Sequence, residues 1–458
     1  MKKLRLLGAA ALVIVIAAVA LVAAIGAEWG LSPTNLALIA SSIRLVQRNY
    51  IHPISQDQLI TDALKGMFTR LDPHSDYMDE QEFKEAKGTI NGKFGGLGIE
   101  MSDQRGTPQV ISPIDGEPAA RAGLQPGDRI VSINGQSTRG MDSQKVVGLL
   151  RGKPGTAVTL TISRGEKPPF DVTITRSIIQ VHTVKSKLEP NSIGYVRISQ
   201  FSDQTPKDLA EAIKQFKQQT DGRLKGFVLD LRDDPGGLLN AALGVAGDFL
   251  DGGKLVTIHG RRSEDDVAYF APAKADLLPN VPMVVLINGA SASASEIVAG
   301  ALQDRHRATV MGTQSFGKGS VQTIIPLDGR GALRLTTALY YTPAGRSIQD
   351  DGISPDVVVE VPKDQQVADA ETLRESTLHG AFKNPGPLGT TSVSIAEHPT
   401  TGAAYSPPIQ EQLIGTPQDA QLKAALSRLE GGDLIKSNGQ DVLWALASTC
   451  RETRSPHL

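Results

Sequence analysis

The sequence contains almost no cysteine, with Cys450 the only one among 458 residues. A single cysteine excludes a framework of internal disulfides. An excess of charge of either sign is also missing, since 47 lysines and arginines face 49 aspartates and glutamates. The net charge of −2 gives no reason to expect nucleic acid as a partner. What remains, 40% hydrophobic and 21% charged residues, is typical of a globular protein of two or three domains.

The first feature that is present is an uncharged run over residues 6–27, preceded by three basic residues within the first five positions. Its 22 residues would span roughly 33 Å as a helix, enough to cross a bilayer core. The run is longer than the ~7–15 apolar residues of a typical signal peptide, although small residues near its end would suit cleavage. We predict a signal peptide or a signal-anchor at 1–27, leaving both open, and export of the rest of the chain.

Residues 33–88 are predicted to be a helical region. Apolar residues at helical spacing indicate one amphipathic helix around 36–46 and another over 58–71. The second helix is expected to end at Leu71, because Pro73 restricts the backbone that precedes it. We interpret His74, in the segment LDPHS, as a structural histidine rather than a catalytic one.

Residues 91–175 are predicted to be a compact unit rich in strands. The segment FGGLGI at 94–99 leads into a strand, and its glycines would let backbone N–H groups converge without obstruction by side chains. Together with the run GEPAARAGLQPGDRIVSING at 116–135, it resembles a circularly permuted PDZ domain of the bacterial protease type. Such a domain binds a peptide as an added strand and holds its terminal carboxylate with loop N–H groups. The resemblance implies a peptide site formed by Gly96, Leu97, Gly98, Ile99, Val147 and Leu150. A PDZ domain kept only for packing or autoinhibition is the alternative.

Between residues 176 and 360 predicted strands and helices alternate, which indicates an α/β core. Its centre is the stretch 288–322, where a buried strand at 283–287 is followed by small residues only and then by a helical pattern. A tight turn of this kind exposes a hydroxyl, and the helix start directs free N–H groups at developing negative charge.

Several motifs of this region resemble the carboxyl-terminal processing (tail-specific) proteases. The motifs are SASASEI at 291–297, AGALQD at 299–304, FGKGSVQ at 316–322, TPAGRSIQ at 342–349 and GISPD at 352–356. The resemblance implies an α/β (α+β) protease core of the ClpP/crotonase-like type, with an inserted PDZ domain and an N-terminal helical region. By the same resemblance Ser293 is the nucleophile, Lys318 its base and Gln322 a third residue of the catalytic group. Glu296 and Asp304 would support the site from behind.

The loop 232–237 resembles the segment of the family in which a glycine N–H forms part of the oxyanion hole. We therefore expect the hole at Gly236 and Gly237, with the N–H of Ala294 as the second donor. Asp234 departs from the asparagine usual at its position. An extra anion there would be unhelpful unless it points away or is neutralised by Arg232.

The proposed chemistry can also be argued from the residues. A serine hydroxyl needs a neutral base, so the lysine pKa of ~10.4 has to fall by roughly three units. Burial of Lys318 among Phe316, Gly317 and Gly319 could do this if no carboxylate pairs with it. If 318–322 is extended, Gln322 lies on the same face as Lys318 and can hold the amine without adding charge.

The sequence thus predicts an exported serine endopeptidase of the bacterial cell envelope, periplasmic or anchored to the inner membrane, without metal or cofactor. Its expected partners are protein substrates with unstructured C-terminal tails, an adaptor protein, and further copies of itself. A PDZ adaptor on an inactive body and a crotonase-like acyl-transfer enzyme are the alternatives. Residues 361–458 are predicted to hold a linker at 384–408 and a last helix at 417–430, with no assignment for 431–458.

Overall fold

The computed structural model describes most of the chain. The described residues are 32–90, 93–103, 107–114, 116–141, 143–165, 167–180, 183–367, 373–388, 409–431, 436–437 and 440–441. The predicted leader at 1–27, Cys450 and most of the predicted linker at 384–408 lie outside them. Within the described ranges, no helix is both long enough and apolar enough to cross a membrane.

The first unit, which ends at Leu71, contains two helices, α1 (Pro33–Asn49) and α2 (Gln56–Phe68). Each begins after a serine whose side chain accepts a hydrogen bond from the backbone three residues on, as N-caps do. α2 ends three residues before the predicted Leu71.

The next stretch corrects the prediction that 33–88 is helical throughout. It contains a strand, β1 (Asp76–Met78), before the helix α3 (Glu80–Ile90). β1 pairs with residues 332–334 in the second sheet of the core. A partner more than 250 positions away leaves no local pattern, which is why the sequence did not reveal the strand.

The predicted PDZ domain is a sheet with one long helix. Its elements are β2 (Lys93–Gly96), β3 (Ile99–Asp103), β4 (Pro108–Pro113), α4 (Pro118–Arg121), β5 (Arg129–Ile133), β6 (Gln136–Ser137), α5 (Ser143–Leu150), β7 (Ala157–Ser163), β8 (Phe170–Thr175) and β9 (Ser177–Gln180). The sheet runs β3-β4-β5-β7-β8, with β6 on β5, so β3 forms one edge. β2 and β9 pair with each other where the chain enters and leaves the domain.

The core is built on a six-stranded sheet in the order β10-β11-β12-β15-β16-β19. The strands and helices of the whole core, which includes a second sheet, are in chain order β10 (Val184–Glu189), β11 (Ile193–Ile198), α6 (Thr205–Gln219), β12 (Gly226–Asp230), α7 (Leu239–Gly247), β13 (Lys254–Gly260), β14 (Val267–Phe270), β15 (Met283–Ile287), α8 (Ala294–Asp304), β16 (Thr309–Gly312), β17 (Ser320–Pro326), β18 (Ala332–Tyr341) and β19 (Val357–Val358). Only β10 is antiparallel to its neighbour. β13, β14, β17, β18 and β1 form a second, antiparallel sheet.

A C-terminal helix, α9 (Ala420–Leu429), packs on the parallel sheet. Beyond it only the short paired strands β20 (Lys436–Ser437) and β21 (Gln440–Asp441) are described.

Three neighbouring parallel strands position the predicted site. β12 leads into the loop 231–238, β15 into the turn 288–293, and β16 into the loop 313–319. Because parallel strands end at the same edge of a sheet, these three segments meet there, where open α/β sheets bind their ligands.

Candidate active site

Ser293 occupies a strained turn at the start of α8. Its backbone has φ 55° and ψ −109°, a conformation that costs a non-glycine residue about 1–3 kcal/mol. The flanking residues Ala292 and Ala294 are buried, whereas Ser293 is only half-buried. The turn therefore presents this one hydroxyl at the mouth of the site, as the run of small residues predicted.

Gly236 packs directly against this turn. A side-chain carbon on Gly236 would stand 2.7 Å from the carbonyl oxygen of Ala292 and 2.8 Å from the nitrogen of Ala294. These are distances that real Cβ atoms do not show. The position therefore requires glycine so that the loop after β12 can pack against the turn at Ser293.

The carboxylate of Glu296 joins the turn at Ser293 to the loop 313–319, which contains Lys318 and is called the lysine loop below. Its Oε2 accepts hydrogen bonds from the backbone nitrogens of Ser293 (2.7 Å) and Lys318 (2.9 Å). Its Oε1 accepts from Ser315 Oγ (2.6 Å) and from the nitrogen of Gly317 (2.7 Å). Burial raises the pKa of Glu296 to about 7, although all four donors favour the ionised form. Glu296 thus fixes the two predicted catalytic residues relative to each other.

The amine of Lys318 lies in a largely dry environment. Burial lowers the pKa of Lys318 to about 8, against the opposing charges of Glu375 and Glu296. The amine donates to Gln322 Oε1 and, at 3.4 Å, to the carbonyl oxygen of Ser320. The bond between Lys318 and Gln322 that the spacing suggested is therefore present. No hydrogen bond links Lys318 Nζ to Ser293 Oγ, both of which lie in the described part of the chain.

Two backbone N–H groups predicted for the oxyanion hole make no hydrogen bond to a described residue, one in the loop after β12 and one at the start of α8. Neither Gly237 nor Ala294 donates its N–H to any described residue. The N–H of Gly236, by contrast, donates to Asp234 Oδ1 at 2.8 Å. Of the three donors predicted for the oxyanion hole, Ala294 and Gly237 are therefore available in this structure and Gly236 is occupied.

Asp234 is not neutralised by Arg232. That guanidinium is fully buried and bound to Asp230 and Asp419. Burial instead raises the pKa of Asp234 well above its ordinary value. The desolvation that raises the pKa disfavours an anion at this position, beside the predicted hole.

Asp304 lies at the far end of α8 from Ser293. Its carboxylate accepts from the nitrogen of Ala344 (2.8 Å) and pairs with Arg346. It thereby holds the turn 342–346 onto the helix rather than contacting the nucleophile. Asp304 therefore supports the core at the end of α8 that is away from Ser293.

The residues predicted for the peptide site of the PDZ domain lie before and at the start of β3 (residues 96–99) and on α5 (Val147 and Leu150). Leu97 and Leu150 are buried in the core of the domain, whereas Ile99 and Val147 are half-buried. The N–H groups of Leu97 and Gly98 donate to no described residue. Among the described strands only β4 pairs with β3, so its other edge is available to an added strand.

The sequence analysis missed a polar chain behind Gln322. Gln322 Nε2 donates to Ser320 Oγ (3.0 Å) and Thr336 Oγ1 (3.2 Å), and Thr336 Oγ1 donates in turn to Asp72 (3.0 Å). Burial opposes ionisation of Asp72, yet hydrogen bonds from Ser75, His74 and Thr336 hold its pKa below the ordinary value. The only signal in the sequence is the position of Asp72 at the start of the segment DPHS, which directly follows the predicted helix end at Leu71.

No group of three or more histidine, cysteine, aspartate or glutamate side chains is placed to bind a metal ion within the described ranges. The chemistry available at the site is that of a hydroxyl, a desolvated amine and backbone donors.

Comparisons with known proteins identify the family. The profile of peptidase family S41 matches residues 192–359, a PDZ profile matches 109–164, and the N-terminal domain of the activating protease CtpB matches 23–82. A carboxy-terminal-processing protease of Bartonella bacilliformis is 50% identical over 353 residues, covering 76% of this chain and 81% of that protein. The carboxy-terminal processing protease CtpA of Bacillus subtilis is 37% identical over 319 residues, covering 69% and 67%.

Among solved structures, the photosystem II D1 C-terminal processing protease aligns with 30% identity and a TM-score of 0.43. That alignment covers 70% of this chain and 92% of that one. On the identity and coverage of its curated relatives, the chain belongs to peptidase family S41, as a serine-type carboxy-terminal processing peptidase with a PDZ domain.

Proposed function

We propose that this protein is an exported serine endopeptidase that recognises C-terminal tails through its PDZ domain and cleaves with a Ser293–Lys318 dyad. The observation that carries the proposal is the Glu296 carboxylate, which bonds the backbone of both residues at once. The desolvated amine of Lys318, with its pKa lowered to about 8, supports the role of base. We further assign the core to the ClpP/crotonase-like type.

The reaction begins with attack of Ser293 Oγ on the carbonyl carbon of the scissile bond, while the hydroxyl proton passes to neutral Lys318. The amine first has to leave Gln322, and the four-carbon side chain of lysine has the freedom to do so. The N–H groups of Ala294 and Gly237 stabilise the tetrahedral oxyanion. Its collapse expels the amine product, which takes the proton from Lys318, and leaves an ester on Ser293. Water then attacks the ester and gives a proton to Lys318. As the tetrahedral intermediate collapses, Lys318 passes that proton to the departing Ser293 Oγ, which releases the acid product and restores the free enzyme.

The site of action that we propose is the bacterial cell envelope. The basic residues before the uncharged run at 6–27 support export, with the enzyme either free in the periplasm or held at the inner membrane by an uncleaved segment. Substrates would be envelope proteins with unstructured C-terminal tails. An adaptor protein and further copies of the chain complete the proposed partners.

The test is cleavage of a tail peptide, with products mapped by mass spectrometry. Ser293→Ala and Lys318→Ala should each lower kcat/KM by about a thousandfold or more, because the dyad acts as a unit. Ser295→Ala is the matched control. Its hydroxyl is buried one helix position beyond Ala294 and donates to the carbonyl of Asp234 (2.9 Å), so its loss should cost stability rather than chemistry.

Unchanged cleavage by the Ser293→Ala variant would refute the dyad. Tail binding by the wild type without any cleavage would favour the PDZ adaptor, and binding of an acyl thioester would favour the acyl-transfer enzyme.

A further inference from the structure

A segment beyond the peptidase region returns to the lysine loop. Residues 373–388 follow the part that the family profile matches, and the only prediction made for them was a linker that begins at residue 384. Within them Glu375–Thr377 forms a short 3-10 turn, and the nitrogen of Glu375 donates to the carbonyl oxygen of Phe316 at 3.2 Å. This contact is made two residues before Lys318.

The carboxylate of Glu375 is buried and fully engaged. Only 1% of Glu375 is exposed. Its Oε2 lies 2.7 Å from His74 Nε2, and its Oε1 accepts from Gln349 Nε2 at 2.9 Å. Glu375 therefore joins a residue that precedes the PDZ domain to one in the turn after β18.

Gln349 carries this connection to the backbone beside the proposed base. It is fully buried, and its Oε1 accepts from the nitrogen of Gly319 at 3.0 Å. Its Nε2 also donates to the carbonyl oxygen of Phe382 (3.0 Å), in the same returning segment. The lysine loop is thus bound on both sides of Lys318, at Phe316 and at Gly319, by groups that converge on Glu375.

The charges around Lys318 give Glu375 an electrostatic role as well. Burial disfavours the ammonium, and Arg334 acts in the same direction, whereas Glu375, Glu296 and Asp72 favour it. Among these charges Glu375 has the largest effect on the pKa of Lys318. Glu296 and Asp72 accept hydrogen bonds from backbone N–H groups and hydroxyls. Glu375 differs from them because it is paired with the imidazole of His74.

We propose that Glu375, held by His74 and Gln349, is a positioning residue of the active site that stabilises the Lys318 ammonium formed when Ser293 gives up its proton. The inference rests on the proposed function, since it assigns Lys318 as the base. The carboxylate offsets part of the penalty of charging a buried amine. The base thereby stays strong enough to take the proton.

The first measurement is the pH dependence of kcat/KM for a tail peptide, made on the full chain. Glu375→Gln keeps the size of the side chain but removes its charge, so the protonated amine loses a favourable neighbour. The rising limb should move to lower pH by about half a unit or more, and the plateau should fall because the base is weaker. Glu375→Asp keeps the charge, and its limb should stay near that of the wild type even if the rate drops.

Glu211→Gln is the matched control, because it removes the same charge from an exposed carboxylate on α6. Its limb should not move. A limb that stays in place in Glu375→Gln, or that moves equally in Glu375→Asp, would overturn the proposal and leave Glu375 a purely structural residue.

A second measurement does not depend on proteolysis. The rate at which an amine-selective acylating reagent modifies Lys318 is followed against pH by mass spectrometry in the Ser293→Ala background. Adding Glu375→Gln should move the titration of Lys318 to lower pH, whereas adding Glu211→Gln should not. Failure of the dyad would appear as unimpaired cleavage by Ser293→Ala, and failure of the Glu375 assignment as an unmoved labelling curve.

Discussion

Asp234 places a carboxyl group beside the predicted oxyanion hole, where a negative charge would oppose the binding of an oxyanion. It is fully buried, and within the described part of the chain its Oδ2 has no hydrogen-bond partner. Its other atoms connect two segments: Oδ1 accepts from Gly236, and the backbone oxygen accepts from Ala292 at 2.9 Å. A neutral acid can fill this place, since protonation removes the charge that burial would penalise.

Replacing Asp234 with asparagine should therefore stabilise the protein in a pH-dependent way. An acid whose pKa is raised by folding contributes stability that is present below its unfolded pKa of 3.8 and is lost as pH rises through the folded value. Asparagine keeps the acceptor for Gly236 and has no proton to lose. The difference in melting temperature between Asp234→Asn and the wild type should be near zero at pH 4 and grow with pH. The gain corresponds to about 1 kcal/mol per pH unit.

Thermal unfolding of both proteins between pH 4 and 8 measures this difference. A variant that is less stable by the same amount at every pH would mean that Asp234 is ionised and paired in the folded state.

At the scale of elements, the C-terminal helix is tied to the catalytic edge of the sheet by a buried cluster of charges. Arg232, in the loop after β12, donates to Asp230 on β12 and to Asp419 (2.6 Å to Oδ2). Asp419 is also the N-cap of α9, accepting from the nitrogen of Leu422 at 3.0 Å. One carboxylate thus caps the helix and neutralises the guanidinium in that loop.

Truncating Asp419 should cost much more stability than truncating a surface carboxylate. Asp419→Ala leaves Arg232 with one of its two buried carboxylate partners and removes the helix cap, a loss of about 3–5 kcal/mol. Glu211→Ala, which breaks an exposed pair with Lys214, should cost less than about 1 kcal/mol. Urea midpoints of the two variants make the comparison. Similar midpoints would show that the buried cluster contributes no more than a surface pair.

The elements divide into those with a local signal and those without one. The strand β15 matches the predicted 283–287, because a short apolar run between turn residues defines a buried strand. The last helix covers Ala420–Leu429 instead of the predicted 417–430. The parts that escaped prediction are contacts across long sequence separations: β1 on β18, Arg232 with Asp419, and Glu375 with His74. Such pairs are set by tertiary structure, so the periodicity of apolar residues along the sequence does not predict them.

At the scale of the whole molecule, the PDZ domain is inserted in the chain between β1 and the rest of the core. The strands at its two ends pair with each other. β2 leads in and β9 leads out, with Lys93 opposite Gln180 and Gly96 opposite Ser177. The two N–H groups that have no described acceptor, those of Leu97 and Gly98, follow β2 directly. The φ of Gly98 is +73°, and a side-chain carbon there would stand 2.4 Å from Cβ of Glu117, so the loop requires glycine at this position. A terminal carboxylate would satisfy both donors, as it does in PDZ recognition generally.

Substrate cleavage should accordingly depend on the free C-terminus of the substrate. Amidation of a tail peptide removes the negative charge and replaces one acceptor oxygen with an NH2 group. One of the two loop N–H groups then faces a donor and makes no hydrogen bond. Hydrogen bonds to a charged group contribute about 1.5–3 kcal/mol, so kcat/KM should fall by about 10- to 100-fold. The matched control replaces an internal glutamate of the peptide by glutamine, which removes the same charge away from the tail and should change kcat/KM little. Equal cleavage of the acid and the amide would mean that the loop at 97–98 does not read the C-terminus, and that the edge of β3 alone selects the substrate.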